Sequence, residues 1–139
     1  MSLIRLIYIS TATDAFQPKS MESLLADCKE NNELDRITGL LCFNHQYFLQ
    51  CLEGEEEIVE DTFARIKKDE RHQKIQVVCK EPINSRDFEN WEMGYVLLSK
   101  DIREITDKYL HSDSFSPYSV SNQELERFLY SARELLVKI

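Results

Sequence analysis

The sequence contains only three glycines, and they lie far apart, at Gly39, Gly54 and Gly94. Loops that hold phosphate groups with their backbone need closely spaced glycines, as in GxGxxG and GxxxxGK(S/T). Neither pattern is present, and GxSxG and HExxH are missing as well. These absences exclude the usual motifs of a Rossmann enzyme, a P-loop nucleotidase, an α/β-hydrolase and a zinc protease.

Basic residues are outnumbered, because the chain has 17 lysines and arginines against 25 aspartates and glutamates, a formal net charge of −8. A nucleic-acid-binding face needs clustered Lys and Arg. The basic cluster "RIKKDERHQK", residues 65–74, is interrupted by Asp69 and Glu70, and a modest basic patch there stays open as an alternative. We therefore predict that nucleic acid is not a partner.

Long apolar runs are also missing. No stretch approaches the roughly 20 apolar residues that a membrane-spanning helix needs. The N-terminal "MSLIRLIYIS" has neither the apolar core nor the cleavage pattern of a signal peptide. We therefore expect a cytoplasmic protein without a membrane partner.

The four cysteines show no CxxC pair and no metal-type spacing with the three histidines. Each one lies in an apolar pattern. We interpret Cys28, Cys42, Cys51 and Cys79 as free core thiols in a reducing compartment, and we predict no metal site.

What the sequence does contain is an alternation of strand and helix patterns. Helix spacing runs from Pro18 to about Asn31, and again from Gly54, through three glutamates, to about Asp69. Apolar, β-branched runs predict five strands, over residues 3–10, 37–43, 47–53, 75–83 and 91–99. The order β-α-β-β-α-β-β predicts an α+β, ferredoxin-like sheet with both helices on one face.

The C-terminal third supplies a cover for the other face of this sheet. Ser121 and Glu124 form a capping box, which predicts the start of an amphipathic helix. Its apolar positions are Leu125, Phe128, Leu129, Ala132, Leu135 and Leu136. We expect residues 1–99 to form one domain, and residues 100–139 to form a helical extension packed on it.

Gln50 interrupts the apolar strand "YFLQCL". A primary amide has two donors and an acceptor with two lone pairs, and burying it without partners costs on the order of 1–3 kcal/mol. Either the amide meets solvent or a backbone group, or it faces a polar ligand held between the sheet and the helices. The sequence leaves both alternatives open.

Tyr8 lies in the middle of the first strand, where a tyrosine is either a core residue or a functional one. In a ferredoxin-like topology the first and third strands can be neighbours. A hydroxyl and an amide on adjacent buried strands would bond to each other, so Tyr8 and Gln50 are predicted partners.

A third feature is a set of polar residues at the ends of the two predicted helices. An asparagine near a helix C-terminus is a common cap, and Arg65 with Asp69 could be a surface ion pair worth a few tenths of a kcal/mol. Together these side chains surround one cleft between the helices. The group consists of Asn31, Asn32, Arg65, Asp69, Arg71 and His72.

Taken jointly, these features resemble a BLUF domain, the flavin-binding blue-light sensor. The resemblance covers residues 1–99, and the last forty residues resemble the helical extension of short, stand-alone members of the PixD type. The matching segments are "LIYIS" with Tyr8, "NN…ITGLLCF" with Asn32, "FLQCLEG" with Gln50, "RIKKDERH", and "RDFENWEMG" with Trp91 and Met93.

The resemblance implies a non-covalent flavin, FAD or alternatively FMN or riboflavin, between the two helices with its ring against the sheet. Asn32 would bond the polar edge of the ring, and Asn31 would flank it. Many relatives carry serine where this chain has Cys28, whose thiol is a weaker hydrogen-bond donor. This difference would affect how the protein tunes the flavin ring, and not whether it binds flavin. The ring edge and the phosphate side would be lined by Arg65, Asp69, Arg71 and His72.

The resemblance also implies a photochemical role for Tyr8 and Gln50. The excited flavin takes an electron from Tyr8, a proton follows through Gln50, and recombination leaves the amide rearranged and the flavin spectrum shifted to the red. Trp91 and Met93 would then pass the change to the surface, although both are equally interpretable as core residues.

The implied output is a separate signalling protein, of which a response-regulator-like protein is one form, together with self-association into a homo-oligomer. Two alternatives compete with a non-enzymatic light sensor. The first is a flavin-dependent redox enzyme that uses the same pocket. The second is a ferredoxin-like interaction module that has lost its flavin.

Overall fold

The structure is a computed structural model that describes residues 2–14, 36–43, 46–88, 94–97, 118, 120–132 and 137–138. Several sequence predictions lie outside these ranges. They are the first helix, between Pro18 and Asn31, and the side chains of Cys28, Asn31, Asn32, Trp91, Met93, Leu135 and Leu136.

The described elements alternate as the sequence predicts. The helices are α1 (Glu56–Lys67) and α2 (Asn122–Ala132). The strands are β1 (Leu3–Ala12), β2 (Thr38–Phe43), β3 (Tyr47–Glu55), β4 (His72–Ile83), β5 (Gly94–Leu97) and β6 (Val137–Lys138). All five predicted strands are observed, and β4 begins three residues earlier than its apolar pattern indicated.

The strands form one six-stranded sheet in the order β4-β1-β3-β2-β5-β6. β1 pairs antiparallel with both β3 and β4, so its backbone is hydrogen-bonded on both sides. β5 runs parallel to β2. β4 forms one edge of the sheet, whereas β5, the next strand along the chain, lies towards the other edge. The predicted α+β, ferredoxin-like fold is confirmed.

One strand was not predicted. The sequence pattern continued the last helix to Leu136; the helix is described from Asn122 to Ala132, residues 133–136 lie outside the described part of the chain, and Val137 pairs with Tyr95 of β5. Two residues are too short for an alternation pattern to be recognised, and only the pairing with β5 makes them a strand.

Alternation along β1 and β3 divides the core into two layers, one on each face of the sheet. The layer under α1 contains Ile4, Leu6, Tyr8, Ile37, Leu41, Phe48, Leu52, Val59 and Phe63. The layer under α2 contains Ile7, Ile9, Leu40, Cys42, Leu49, Cys51, Val78, Phe88, Leu125, Phe128 and Leu129. The C-terminal helix therefore covers the face opposite α1, as predicted, through Leu125, Phe128 and Leu129.

The helix ends follow the expected electrostatics. Glu56 and Glu57 lie in the first turn of α1 and basic residues lie in its last turn, which complements the helix dipole. At the start of α2 the hydroxyl of Ser121 accepts a hydrogen bond from the backbone N–H of Glu124 at 3.2 Å. This contact is half of the predicted capping box.

The described cysteines are free thiols, as predicted. Cys42 and Cys51 are buried, and Cys79 is partly exposed on β4. Burial, together with the neighbouring carboxylates of Glu126 and Glu81, raises the pKa of the Cys79 thiol to about 12. Among the residues that the structure describes, no helix combines the length and the apolar character needed to cross a membrane.

Candidate functional site

Tyr8 and Gln50 lie directly opposite each other on β1 and β3. Each is only 3% exposed. The hydroxyl of Tyr8 donates a hydrogen bond to Oε1 of Gln50. The predicted contact between the two strands is therefore present, and it supplies one partner for the buried amide.

Aromatic rings hold the tyrosine in place. The ring of Tyr8 lies 5.4 Å from that of Phe63 on α1, tilted by 43°. It also meets the imidazole of His72 at 6.2 Å, edge to face at 67°. Such tilted and edge-on contacts are the favoured arrangements of aromatic pairs. They restrict the motion of the Tyr8 ring without using its hydroxyl.

His72 links three elements around the site. Its Nε2 lies 2.6 Å from the carbonyl oxygen of Ile66 near the end of α1. A carbonyl oxygen only accepts, so Nε2 carries the hydrogen. Its Nδ1 lies 2.9 Å from the hydroxyl of Ser10, which is fully buried on β1. In the neutral imidazole Nδ1 therefore accepts from Ser10, and the two contacts fix the tautomer.

Asp69 and Arg71 form the polar end of the site. Nη2 of Arg71 lies 2.6 Å from Oδ2 of Asp69, and Nε lies 3.0 and 3.1 Å from the two carboxylate oxygens. The backbone N–H of Arg71 donates to Oδ1 at 2.9 Å. These bonds hold the pKa of the Asp69 carboxyl below its ordinary value, against the opposing effect of burial.

These residues surround one cleft between α1 and the sheet, which we name the Tyr8 cleft. It has about 410 Å³ of empty space out to its mouth. The lining residues are Tyr8, Leu41, Phe48, Gln50, Ile66, Asp69, Arg71 and His72.

Five of the predicted site residues thus meet in the Tyr8 cleft, namely Tyr8, Gln50, Asp69, Arg71 and His72. Arg65 is exposed on α1, is not among the lining residues, and donates to the hydroxyl of Thr62 at 3.2 Å. The predicted contacts of Asn31 and Asn32 lie outside the described residues, as do those of Trp91 and Met93.

The sequence predictions missed the apolar walls of the cleft. Leu41 is the direct partner of Gln50 on β2, and Phe48 shares a face of β3 with Gln50. Counting two residues back from Gln50 would have identified Phe48, because side chains alternate along a strand. Ser10 was missed as well, although it lies two positions beyond Tyr8 on the same face.

Comparison with known proteins reveals a clear relationship. The family model described as "BLUF: Sensors of blue-light using FAD" matches residues 3–94. The solved structure titled "BlsA photo-activated state" superposes with a TM-score of 0.83 at 31% sequence identity, and the match covers 93% of each chain.

Curated relatives give the same result over part of the chain. The "Blue light- and temperature-regulated antirepressor BluF" of Escherichia coli (strain K12) is 36% identical over 78 residues, which is 55% of this chain and 19% of that protein. The "Photoactivated adenylate cyclase subunit beta" of Euglena gracilis is 28% identical over 94 residues, 66% of this chain and 11% of that protein. The matches thus span less than a fifth of the length of these two curated relatives.

Proposed function

Because this chain belongs to the BLUF family of blue-light sensors that use FAD, we propose that it senses light through FAD bound in the Tyr8 cleft. The observation that carries the proposal is the buried hydrogen bond from the hydroxyl of Tyr8 to Oε1 of Gln50. It gives the cleft a donor and acceptor system whose direction can reverse without a change in net charge.

The residues of the cleft fit a flavin. Leu41, Phe48 and Ile66 offer apolar surface to a flat ring. Polar groups line the same cleft: the amide of Gln50 and the ion pair of Asp69 with Arg71. A ligand that is apolar on its faces and rich in donors and acceptors at its edge matches this lining. The guanidinium of Arg71 also suits a phosphate group.

Bound flavin supplies a chromophore that absorbs blue light and, when excited, is a strong electron acceptor. Tyr8 is the proposed electron donor, since its ring is held at the cleft by Phe63 and His72. Its phenolic proton already points at Oε1 of Gln50. Proton transfer along this bond therefore needs no preceding rearrangement.

Gln50 is the proposed switch. Its amide offers a carbonyl oxygen and an NH₂ group on one planar fork. Rotation or tautomerisation of the amide would replace the acceptor at the Tyr8 hydroxyl by a donor. When the electron and the proton have returned to Tyr8, only the hydrogen-bond directions differ from the starting state. A carboxylate could not do this, because when ionised it only accepts.

Further residues complete the proposed site. Asn31 and Asn32 bind the ring edge, and Arg65, Asp69, Arg71 and His72 border the cofactor. Trp91 and Met93, which directly precede β5, pass the change onward. Support for Asp69, Arg71 and His72 comes from their place in the cleft lining. The roles of the other residues are inferred from the family resemblance.

The proposed output is non-enzymatic and acts on a separate signalling protein, of which a response-regulator-like partner is one form, with the photoreceptor itself a homo-oligomer. Relatives named as a cyclase and as an antirepressor indicate that such domains control diverse effectors. In this proposal residues 1–99 form the flavin-binding domain and residues 100–139 an extension that covers the sheet. The free thiols Cys42, Cys51 and Cys79 support a cytoplasmic location.

The test is the absorption spectrum of the purified protein before and after blue light. We expect yellow protein, flavin released by heat or acid, and a red shift that reverses in the dark. Yellow protein that reduces a substrate and shows no shift would favour a redox enzyme instead. Colourless protein that takes up no FAD on refolding would contradict the proposal altogether.

A further inference from the structure

A second pair of polar side chains lies on the same two strands as Tyr8 and Gln50 but on the opposite face of the sheet. Arg5 and Glu53 are also direct partners across β1 and β3, three positions away along each strand. An odd offset places them on the other face, under α2. Glu53 is fully buried and Arg5 nearly so. The strand pair therefore carries one polar contact on each face.

Glu53 uses both of its oxygens. Oε2 accepts from Nε and Nη2 of Arg5, at 3.1 and 2.9 Å. Oε1 accepts from the backbone N–H groups of Asp87 and Phe88, at 2.9 Å each. A buried carboxylate with this many donors is firmly held. It ties the segment that follows β4 to the centre of the sheet.

That segment in turn contacts the C-terminal helix. The hydroxyl of Tyr130 on α2 donates to Oδ2 of Asp87 at 2.9 Å, and the same oxygen accepts from Nη2 of Arg5. The ring of Tyr130 stacks on Phe88 with 6.4 Å between centroids, and the guanidinium of Arg5 lies 5.6 Å from the centroid of the Tyr130 ring. We call Arg5, Glu53, Asp87 and Tyr130 the Arg5 network.

We propose that the Arg5 network transmits the light-driven change at Tyr8 and Gln50 to α2, through the strand pair that carries both contacts. The inference rests on the proposed function. Each strand is a continuous backbone, so a shift of β1 against β3 that accommodates the rearranged Gln50 amide also displaces Arg5 relative to Glu53, three residues further along. The Asp87 oxygen shared by Arg5 and Tyr130 gives the network two arrangements, with the Tyr130 bond either kept or released.

The polar character of this link distinguishes it from the rest of the α2 contact. Leu125, Phe128 and Leu129 pack by apolar contacts, which tolerate small shifts without a change of partner. Hydrogen bonds to charged groups depend steeply on geometry and are strong only when aligned. A displacement of the strands is therefore converted into a discrete change at Tyr130 while the apolar layer stays packed.

The test uses the full chain with bound flavin and compares Tyr130→Phe with Tyr118→Phe. The first variant removes the hydroxyl bond to Asp87 and keeps the ring that stacks on Phe88. The second makes the same chemical change at a tyrosine whose hydroxyl bonds Thr11 and the carbonyl of Lys74. Two measurements are made on each: the light-minus-dark absorption spectrum, and hydrogen exchange of the amides of residues 122–132 in the dark and under light.

We expect all three proteins to show the reversible red shift, and the parent to exchange the α2 amides at a different rate under light. In Tyr130→Phe that difference should fall about tenfold, since a hydrogen bond to a charged group is worth at least this factor in an equilibrium. Tyr118→Phe should match the parent. Glu53→Gln is the second variant of the network, and a folded Glu53→Gln protein should lose the light response of α2 as well.

The outcomes separate the two proposals. A red shift without any light response of α2 in the parent overturns the role of the Arg5 network and leaves the photochemistry intact. A full α2 response in Tyr130→Phe and in folded Glu53→Gln overturns it as well. Absence of the red shift in the parent removes the photochemical proposal itself, and the inference with it.

Discussion

The side chains of Tyr8 and Gln50 are joined by a hydrogen bond between two antiparallel strands, at a point where both residues are almost completely buried. Neither group can exchange this partner for bulk water. A rearrangement of either side chain must therefore be accommodated by groups inside the protein or by a bound ligand. This dependence makes the pair a suitable detector, and it makes single substitutions at either residue informative.

Gln50→Leu removes both functions of the amide at similar volume. We expect flavin to remain bound and the reversible red shift to disappear. The free energy of unfolding should change by less than about 1 kcal/mol, because the Tyr8 hydroxyl loses a partner while an apolar side chain replaces a buried polar one. The matched control is Gln76→Leu, the same change at an exposed position of β4. A full reversible shift in Gln50→Leu would make Gln50 a bystander.

Tyr8→Phe deletes only the hydroxyl, so the contacts with Phe63 and His72 remain. Flavin binding should persist, the red-shifted state should not form, and stability should fall by about 1 kcal/mol for the lost hydrogen bond. Tyr47→Phe is the control, because the hydroxyl of Tyr47 accepts from Gln46 in an exposed contact instead. If Tyr8→Phe keeps a normal photocycle, the electron donor is another residue, and Trp91 is the next candidate.

His72→Phe tests the link between α1 and the strands. It retains a flat ring but removes the bonds to the Ile66 carbonyl and to the buried Ser10 hydroxyl, at an expected cost of about 1–3 kcal/mol in unfolding free energy. His72→Gln can still donate to the carbonyl and should recover part of that loss. Urea denaturation measures both variants. Equal stability of the two would show that the Ile66 contact contributes nothing.

Asp69 should contribute stability that depends on pH. Its pKa is lowered in the folded state by the bonds from Arg71. A lowered pKa means that the stabilisation is complete above the unfolded value, near 3.9, and is lost as the pH falls through the folded value. Asp69→Asn should thus be less stable than the parent at pH 7, with the gap closing below about pH 4. Asp61→Asn, at an exposed site of α1, is the control, and a gap of constant size for Asp69→Asn would contradict this account.

Gly39→Ala should destabilise the sheet more than Gly54→Ala. A Cβ added at Gly39 would lie 1.9 Å from the carbonyl oxygen of Cys51, which is backbone of the neighbouring strand and cannot move aside. At Gly54 the nearest atoms are side-chain carbons of Val59 and Ile37, at 3.3 and 3.4 Å. Overpacking costs about 1–3 kcal/mol, and more where backbone is involved. Denaturant midpoints of the two variants should differ accordingly, and equal midpoints would refute the close approach.

Local patterns in the sequence were sufficient for the elements and for the central pair. Alternation and helical spacing depend on neighbours within a few residues, so β1 to β5, α1 and the cap of α2 could be predicted without coordinates. The same is true of Tyr8 and Gln50. A lone polar group in an apolar strand would be buried at a cost unless it had a hydrogen-bond partner, so its position in the sequence already indicates that a partner exists.

Other contacts became clear only in the folded chain. Asp69 pairs with Arg71, and His72 bridges Ser10 and Ile66, whereas the sequence offered every one of these groups several partners at comparable spacing. The short strand β6 exists because Val137 is brought beside β5. The partners Arg5 and Glu53 are separated by 48 residues, and Tyr130 meets Asp87 across 43.

The physical reason is the distance along the chain between the residues that determine each feature. Propensity, capping and apolar period are properties of a short segment, and the amino-acid sequence by itself determined them along with the ferredoxin-like order of elements. Which donor meets which acceptor depends on strand register and on the placement of a helix over a sheet, where a shift of one residue moves every side chain to the other face. The tertiary structure alone decided that Tyr8 and Gln50 face the cleft while Arg5 and Glu53 face the C-terminal helix.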